Sequence, residues 1–409
     1  MLKSFIRRLG KDLIFSVAAM VALNGCIQFL LYPYLTRQMG AESFGVVIYL
    51  LAVISVMGSF GSGANYSRMV VSAGGEYSNG DYNRFFVIVS LISAAVSATA
   101  LVALKSFSPA YYAGYTLLMI LTVLRYYGDV EFRQTCNFKG YFVYYVLVAA
   151  GYCAGVLLYP LTRSWLVSMA LGEAAALIFV TIRGRIFTPP LFKKSAAYKE
   201  NTKSVWQLTA ANLVHAAVLN ADRILIIFFI GTFEVTVFYA ANLIGKTAAL
   251  LTVPLEGIVI SYLNKYEGKL TYKLFAEVSA ALAALAVVLT ALSALASHIL
   301  IPILYPEVFD RAKAYFVAAN AGQILFFIST VLITFILKIS GEKSQLKINI
   351  IYLIAFFAVT VPCTAFGGLT GLAAGIAAVN AARFILIAVC GGRMLKAGER
   401  RLLDNPEKL

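Results

Sequence analysis

The chain has 409 residues, of which 61% are hydrophobic and only 13% charged, with a formal net charge of +15. So few ionisable side chains cannot coat a soluble globule of this size, which makes lipid the expected solvent and leaves no soluble domain. In a soluble protein the positive excess would point to nucleic acid; here its distribution between apolar runs assigns it to membrane orientation, and no nucleic-acid partner is expected.

A bilayer core of roughly 30 Å takes about 20 apolar residues per helical crossing at 1.5 Å per residue. Lys3, Arg7, Arg8 and Lys11 precede the first apolar run, an arrangement shared with cleaved signal peptides. That run covers 13–34, longer than a signal core and without a small-x-small cleavage site, so it reads as a helix of the mature protein. Further spans are expected over 44–64, 85–104, 111–130, 141–159 and 165–182. After a polar stretch they resume over 205–230, 237–260, 274–300, 315–337, 348–366 and 369–390. The expected fold class is an all-α integral membrane protein with about 12 transmembrane helices, in two lobes of about six around a central cavity. The lobes are 1–190 and 205–409, joined by a linker over 191–204.

With the N-terminus inside, about 26 of the 34 Lys and Arg residues fall at cytoplasmic ends. Arg37, Lys105, Arg163, Arg311 and Lys313 fall outside. Both termini are therefore expected in the cytoplasm. The stretch after the sixth span carries Arg183, Arg185, Lys193, Lys194, Lys199 and Lys203 around Pro189 and Pro190, and reads as a basic cytoplasmic linker that anchors on anionic headgroups of the membrane lipids. The two halves also show a thin internal likeness: residues 40–45 slide onto 231–236, with Thr236 standing where a second glycine would complete the match. A repeat of even helix number would be parallel and leave a cleft between lobes.

Ionisable groups inside lipid cost about 2.5 to 3.5 kcal/mol each at a helix centre, so they mark the candidate site. Asp222 and Arg223 lie in the seventh span and Lys246 in the eighth, each roughly 12 Å below the outer end at 1.5 Å per residue. Asp222 is expected to pair with Lys246 while Arg223 faces the cavity; the competing reading is a structural ion pair with Arg223 snorkelling outward. Arg383 in the twelfth span and Glu173 in the sixth are further candidates, as are Arg37 beyond the first span and Arg68 after the second. Gly58, Gly61 and Gly63 thin the second span for close packing or a hinge. Arg125, Asp129 and Arg133 recur at i, i+4, which reads as a self-neutralising ladder at a cytoplasmic helix end. Asn24 and Gln28 share a face of the first span, and Asn212 and Asn220 lie in the seventh; such groups serve sugar hydroxyls or helix-to-helix bonds alike. His215 and His298 read as packing residues, with proton coupling the alternative. Cys26, Cys136, Cys153, Cys363 and Cys390 share no metal-ligand spacing and receive no chemical role. With no Walker-type glycine loop, no ATP hydrolysis, cofactor, metal or enzymatic chemistry is expected.

The segment 32–45, Tyr-Pro-Tyr-Leu-Thr-Arg-Gln-Met-Gly-Ala-Glu-Ser-Phe-Gly, resembles the signature of bacterial O-antigen and polysaccharide flippases, within the multidrug, oligosaccharidyl-lipid and polysaccharide exporter superfamily. A second match begins the other half: Leu219, Asn220, Ala221, Asp222 and Arg223, then Gly231, then Phe238, Tyr239, Ala240 and Ala241. It departs from the family pattern by one residue fewer between Asn and Asp and by Thr236 in place of glycine. The resemblance implies a two-lobed transporter in the bacterial inner membrane that turns over an undecaprenyl-pyrophosphate-linked oligosaccharide, with a polysaccharide polymerase and a chain-length regulator as pathway partners. Arg223, Lys246 or Arg383 would then hold the pyrophosphate, arginine best through its planar fork. Two alternatives stand beside it: a drug/cation antiporter of the same superfamily, expected to favour acidic and aromatic cavity residues, and a membrane glycan polymerase or ligase, expected to carry a large outer loop.

Overall fold

The structure is a computed structural model that describes residues 2–72, 75–249, 259, 270–340 and 342–404. Among the described residues there is no strand, and helices account for nearly the whole length. Helix α1 runs through Leu2–Gly25, a π-helical segment Cys26–Leu31 and Tyr32–Met39. It is followed by α2 (Ala41–Val71), α3 (Asn79–Ala103), α4 (Pro109–Gly128), α5 (Phe138–Thr162) and α6 (Trp165–Arg183). The second half has α7 (Tyr198–Phe229), α8 (Thr232–Ala249), α9 (Tyr272–Leu304) and α10 (Phe316–Ser340). The last stretch, Glu342–Asp404, is two helices, α11 and α12, meeting at Gly368, whose φ of 56° and ψ of −143° leave the helical region. A left-handed φ costs a glycine little and any other residue more.

Nine stretches among the described residues are long and apolar enough to cross a membrane, and the ninth holds both α11 and α12. The chain is thus an all-α, multi-pass membrane protein, and each of the expected spans coincides with a helix; of the eighth, 250–258 and 260 lie outside the described residues. The helix starts follow local chemistry. Ser78 and Asp81 form a capping box on α3, and Ser108 accepts from the Tyr111 amide (3.3 Å) before Pro109 opens α4. Thr271 caps α9 through the Leu274 amide, 3.3 Å.

By contacts the chain divides into two compact units: Met1–Gly40 with Val46–Ile224, and Ala41–Gly45 with Leu225–Leu409. The first turn of α2 and the last residues of α7 therefore group with the second unit, whereas the expected linker 191–204 groups with the first.

Within unit 1, small residues set helix approach, as lipid supplies no hydrophobic drive between helices. The glycines of α2 serve close packing: a Cβ on Gly61 would lie 2.1 Å from the Val123 carbonyl oxygen, and one on Gly63 would lie 2.2 Å from Thr209 Oγ1. Gly151 and Gly155 of α5 meet Gly172 and Ser168 of α6 in the same way, and Ser168 donates to the Gly155 carbonyl at 2.9 Å. Within unit 2, Asn320 of α10 joins three helices. Its Nδ2 donates to the carbonyls of Phe316 (2.7 Å) and Ala241 (3.1 Å) and to Ser297 (3.2 Å), while its Oδ1 accepts from the Gly245 amide (2.6 Å). Further along α10, Leu332, Ile333 and Ile336 pack with Phe275, Ile348 and Ile387 in an apolar core.

Candidate functional site

Seven ionisable side chains are buried among the described residues: Arg68, Arg125 and Arg383, and Asp81, Asp129, Glu173 and Asp222. Four carboxylates stand beside three guanidiniums, so the buried charge is mixed where the sequence reading weighted cations. Each buried ion needs compensating partners, which identify its role.

In unit 1, Arg125 Nε of α4 pairs with Glu173 Oε2 of α6 at 2.5 Å, and Tyr152 of α5 donates to Glu173 Oε1 at 2.6 Å. The Arg125 guanidinium also stacks on Tyr126, 4.5 Å from the ring centre. Asp129, at the C-terminal end of α4, accepts from Tyr145 (2.8 Å) and from Asn65 Nδ2, which also donates to the Tyr126 carbonyl at 3.0 Å. Of the expected ladder only the second rung exists, Arg133 to Asp129 at 3.9 Å; the first is replaced because Arg125 reaches a carboxylate on a neighbouring helix. Arg133, in the short turn Val130–Gln134, is held protonated by the Asp129 charge.

Arg68 closes the end of α2. Its Nη1 donates to the Tyr127 hydroxyl (2.6 Å) and its Nη2 to Asn79 Oδ1 (2.9 Å), with the rings of Tyr77 and Tyr82 at 5.1 and 5.3 Å. Asn79 in turn donates to the carbonyls of Arg185 (2.8 Å) and Thr188 (2.9 Å). Asp81 accepts from the Ser195 amide (3.0 Å), the Ser195 hydroxyl (2.6 Å) and Asn201 (3.0 Å). Arg84 and Asn83 hold the carbonyls of Phe192 and Leu191. Residues 185–201, which overlap the expected linker 191–204, are therefore hydrogen-bonded into unit 1, and Arg68 is the cation to which their anchor is tied.

The remaining unit 1 candidates lie on α1 and α7. Asn24 donates to its own helix at the Met20 carbonyl, 2.9 Å; Gln28 is half-buried and Arg37 exposed. Asn220 is buried and donates to Ser55 (3.3 Å) and the Ala216 carbonyl (2.8 Å). Asp222 is buried and accepts from the Arg223 amide at 2.9 Å, and half-buried Arg223 reaches Asn220 Oδ1 at 3.4 Å. His215 is exposed.

In unit 2, Lys246 of α8 is half-buried. Arg383 of α12 is buried: its Nη1 donates to Thr330 (2.8 Å) and Ser329 (3.0 Å), and the guanidinium lies 4.6 Å from the ring centre of Tyr352 and 4.8 Å from that of Phe326. Tyr352 donates to Asn380 Oδ1 at 2.9 Å. His298 packs edge-on against Phe316, 4.9 Å between ring centres. No group of three metal-ligating side chains occurs among the described residues.

Residues 41–45 and 232–239, parts of the two signature segments, come together in unit 2. Gly40, with φ of 81°, turns the chain into α2. Thr236 Oγ1 then donates to the Ala41 carbonyl at 2.6 Å, and the Ala41 amide donates to Glu307 Oε2 at 3.1 Å. Gly45 leaves space for no side chain, since a Cβ there would lie 1.8 Å from the Thr232 carbonyl oxygen. The ring of Phe44 meets those of Tyr239 and Tyr305 at 6.3 and 6.4 Å. The sequence reading missed this joint and the tyrosines at 127, 144, 145 and 152; the spacing of 141, 144, 145 and 152 along one face of α5 was the available signal.

No known family profile matches the chain, and no curated protein matches it. Solved structures do. An inward-facing multidrug resistance MATE family transporter of the MOP superfamily superposes with a TM-score of 0.66 at 12% identity, covering 95% of this chain and 96% of that one. An outward-facing MATE transporter gives 0.52 at 14%, covering 95% and 96%, and the Vibrio cholerae MATE transporter VcmN in its bent form gives 0.57 at 12%, covering 97% and 98%. At such low identity these likenesses establish the fold.

Proposed function

We propose that the chain is a transporter working by alternating access, and that it carries an undecaprenyl-pyrophosphate-linked oligosaccharide from the cytoplasmic to the outer face of a bacterial inner membrane. The fold resembles that of MATE transporters solved in inward- and outward-facing conformations, which supports the first part. The observation that carries the second is the joint between the signature segments. Two short matches far apart in sequence carry little weight singly, but residues 41–45 interlock with 232–239 by hydrogen bond, glycine contact and ring packing, so the resemblance rests on one cooperating structure.

A sugar pyrophosphate cannot cross hydrocarbon unaided, because its hydroxyls and charges would lose hydration without replacement. Arg223, half-buried, is the cation proposed to receive it; Arg383 and Arg68 are buried and are proposed to shape their units. Moving about two negative charges outward gains roughly 4 to 5 kcal/mol from an inside-negative potential of about 100 mV. Asp222 and Lys246 are proposed to pair.

The second reading is a drug/cation antiporter, and the comparisons back it better than the first. Two of the superposed transporters are named for multidrug resistance, and buried Asp129 and Glu173, each hydrogen-bonded by a tyrosine, are of the acidic and aromatic kind that reading anticipates. One strain comparison separates them. In cells lacking the chain, the flippase reading expects the lipid-linked repeat unit to accumulate at the cytoplasmic face; normal glycan display with heightened sensitivity to cationic drugs would establish the antiporter.

A further inference from the structure

Cys26 and Cys153 are 127 positions apart in sequence, yet their sulfurs lie 3.5 Å apart within unit 1. Cys26 is the first residue of the π-helical segment of α1, and its Sγ also lies 3.4 Å from the carbonyl of Ala149, one turn before Cys153 on α5. Both are half-buried and in the thiol form. Counted at 1.5 Å per residue, Cys26 lies roughly 12 Å and Cys153 roughly 9 Å from the outer ends of their expected spans, so the two thiols share a depth.

We propose that Cys26 and Cys153 form a redox-active dithiol whose oxidation to an intramolecular disulfide pins the π segment of α1 to α5. Sulfurs already in contact need only a small side-chain adjustment to reach the bonding distance of about 2.05 Å. The natural oxidant class is a lipid-soluble quinone: two thiols and one quinone give one disulfide and one hydroquinone, the two electrons and two protons passing to the quinone. Thiolate is the nucleophile of thiol–disulfide exchange, and hydrocarbon disfavours it, so water-soluble disulfides such as oxidised glutathione react slowly here. Exposed Cys136 has the opposite selectivity. The consequence falls on α1, because a π segment is where a helix shifts register most readily, and a covalent tie at its first residue removes that freedom.

The experiment uses the full-length protein in lipid nanodiscs, oxidised with a benzoquinone or copper–phenanthroline, alkylated and mapped by mass spectrometry. The expected result is a linked Cys26–Cys153 peptide pair, lighter by two hydrogens, lost in Cys26→Ser and Cys153→Ser and reversed by dithiothreitol. Dibromobimane, which fluoresces on bridging two thiols, should label the unoxidised wild-type chain at the same two residues, and this reads the pair even if a serine variant fails to fold. Oxidant treatment that leaves Cys26 and Cys153 both alkylatable, or bimane bridging confined to other cysteines, overturns the proposal.

Discussion

Thr236 and Ala41 are joined across 195 positions of sequence by a 2.6 Å hydrogen bond from the threonine hydroxyl to the alanine carbonyl. Thr236 is completely buried, so the bond has no water to replace it. Thr236→Val keeps the shape and removes the donor, at an expected cost of about 1 to 3 kcal/mol, read as a lowered melting temperature of the purified protein. Gly45→Val should abolish folding, because the added atoms would overlap the Thr232 carbonyl.

The Arg125–Glu173 pair predicts an asymmetry between single and double substitution. Glu173→Gln or Arg125→Met alone leaves one buried ion uncompensated and should cost about 3 to 5 kcal/mol, whereas the double variant should recover much of that loss. Thermal unfolding of all three in detergent measures it; additive losses would mean the two side chains act independently.

Arg68 and Asn79 hold the 185–201 stretch, which carries exposed Lys193, Lys194 and Lys199. Arg68→Lys loses the fork that serves Tyr127 and Asn79 together, and Asn79→Ala loses the grip on Arg185 and Thr188. Either should raise the rate of tryptic cleavage at these lysines several-fold in inside-out vesicles, with no change in cleavage elsewhere.

Asp222 and Lys246 are predicted to act as a pair. Asp222→Lys and Lys246→Asp should each depress transport, about 10-fold or more, and the combined exchange should restore it. If the exchange variant folds and stays inactive, at least one of the two contacts cargo directly.

Much of the fold was legible in the sequence because hydrocarbon imposes one rule, long apolar helices, and the run lengths obey it. The expected spans 348–366 and 369–390 part at Gly367 and Gly368, where α11 meets α12. The site was less legible because its partners depend on which helices are neighbours. Arg125 and Asp129 have ladder spacing, yet Glu173 on α6 takes the arginine and Asn65 on α2 takes the aspartate. The hold of 185–201 on unit 1 was hidden for a related reason: it runs through backbone carbonyls and Ser195, which composition does not reveal.

The most direct measurement reconstitutes the purified protein in sealed liposomes with a fluorescent polyprenyl-pyrophosphate oligosaccharide and follows its exposure to an external lectin, with efflux of a lipophilic cation recorded in matched vesicles. The account predicts protein-dependent appearance of the sugar headgroup outside, accelerated by a membrane potential that is negative on the side of departure. Cation efflux driven by a proton or sodium gradient, with the glycolipid left where it began, would contradict it.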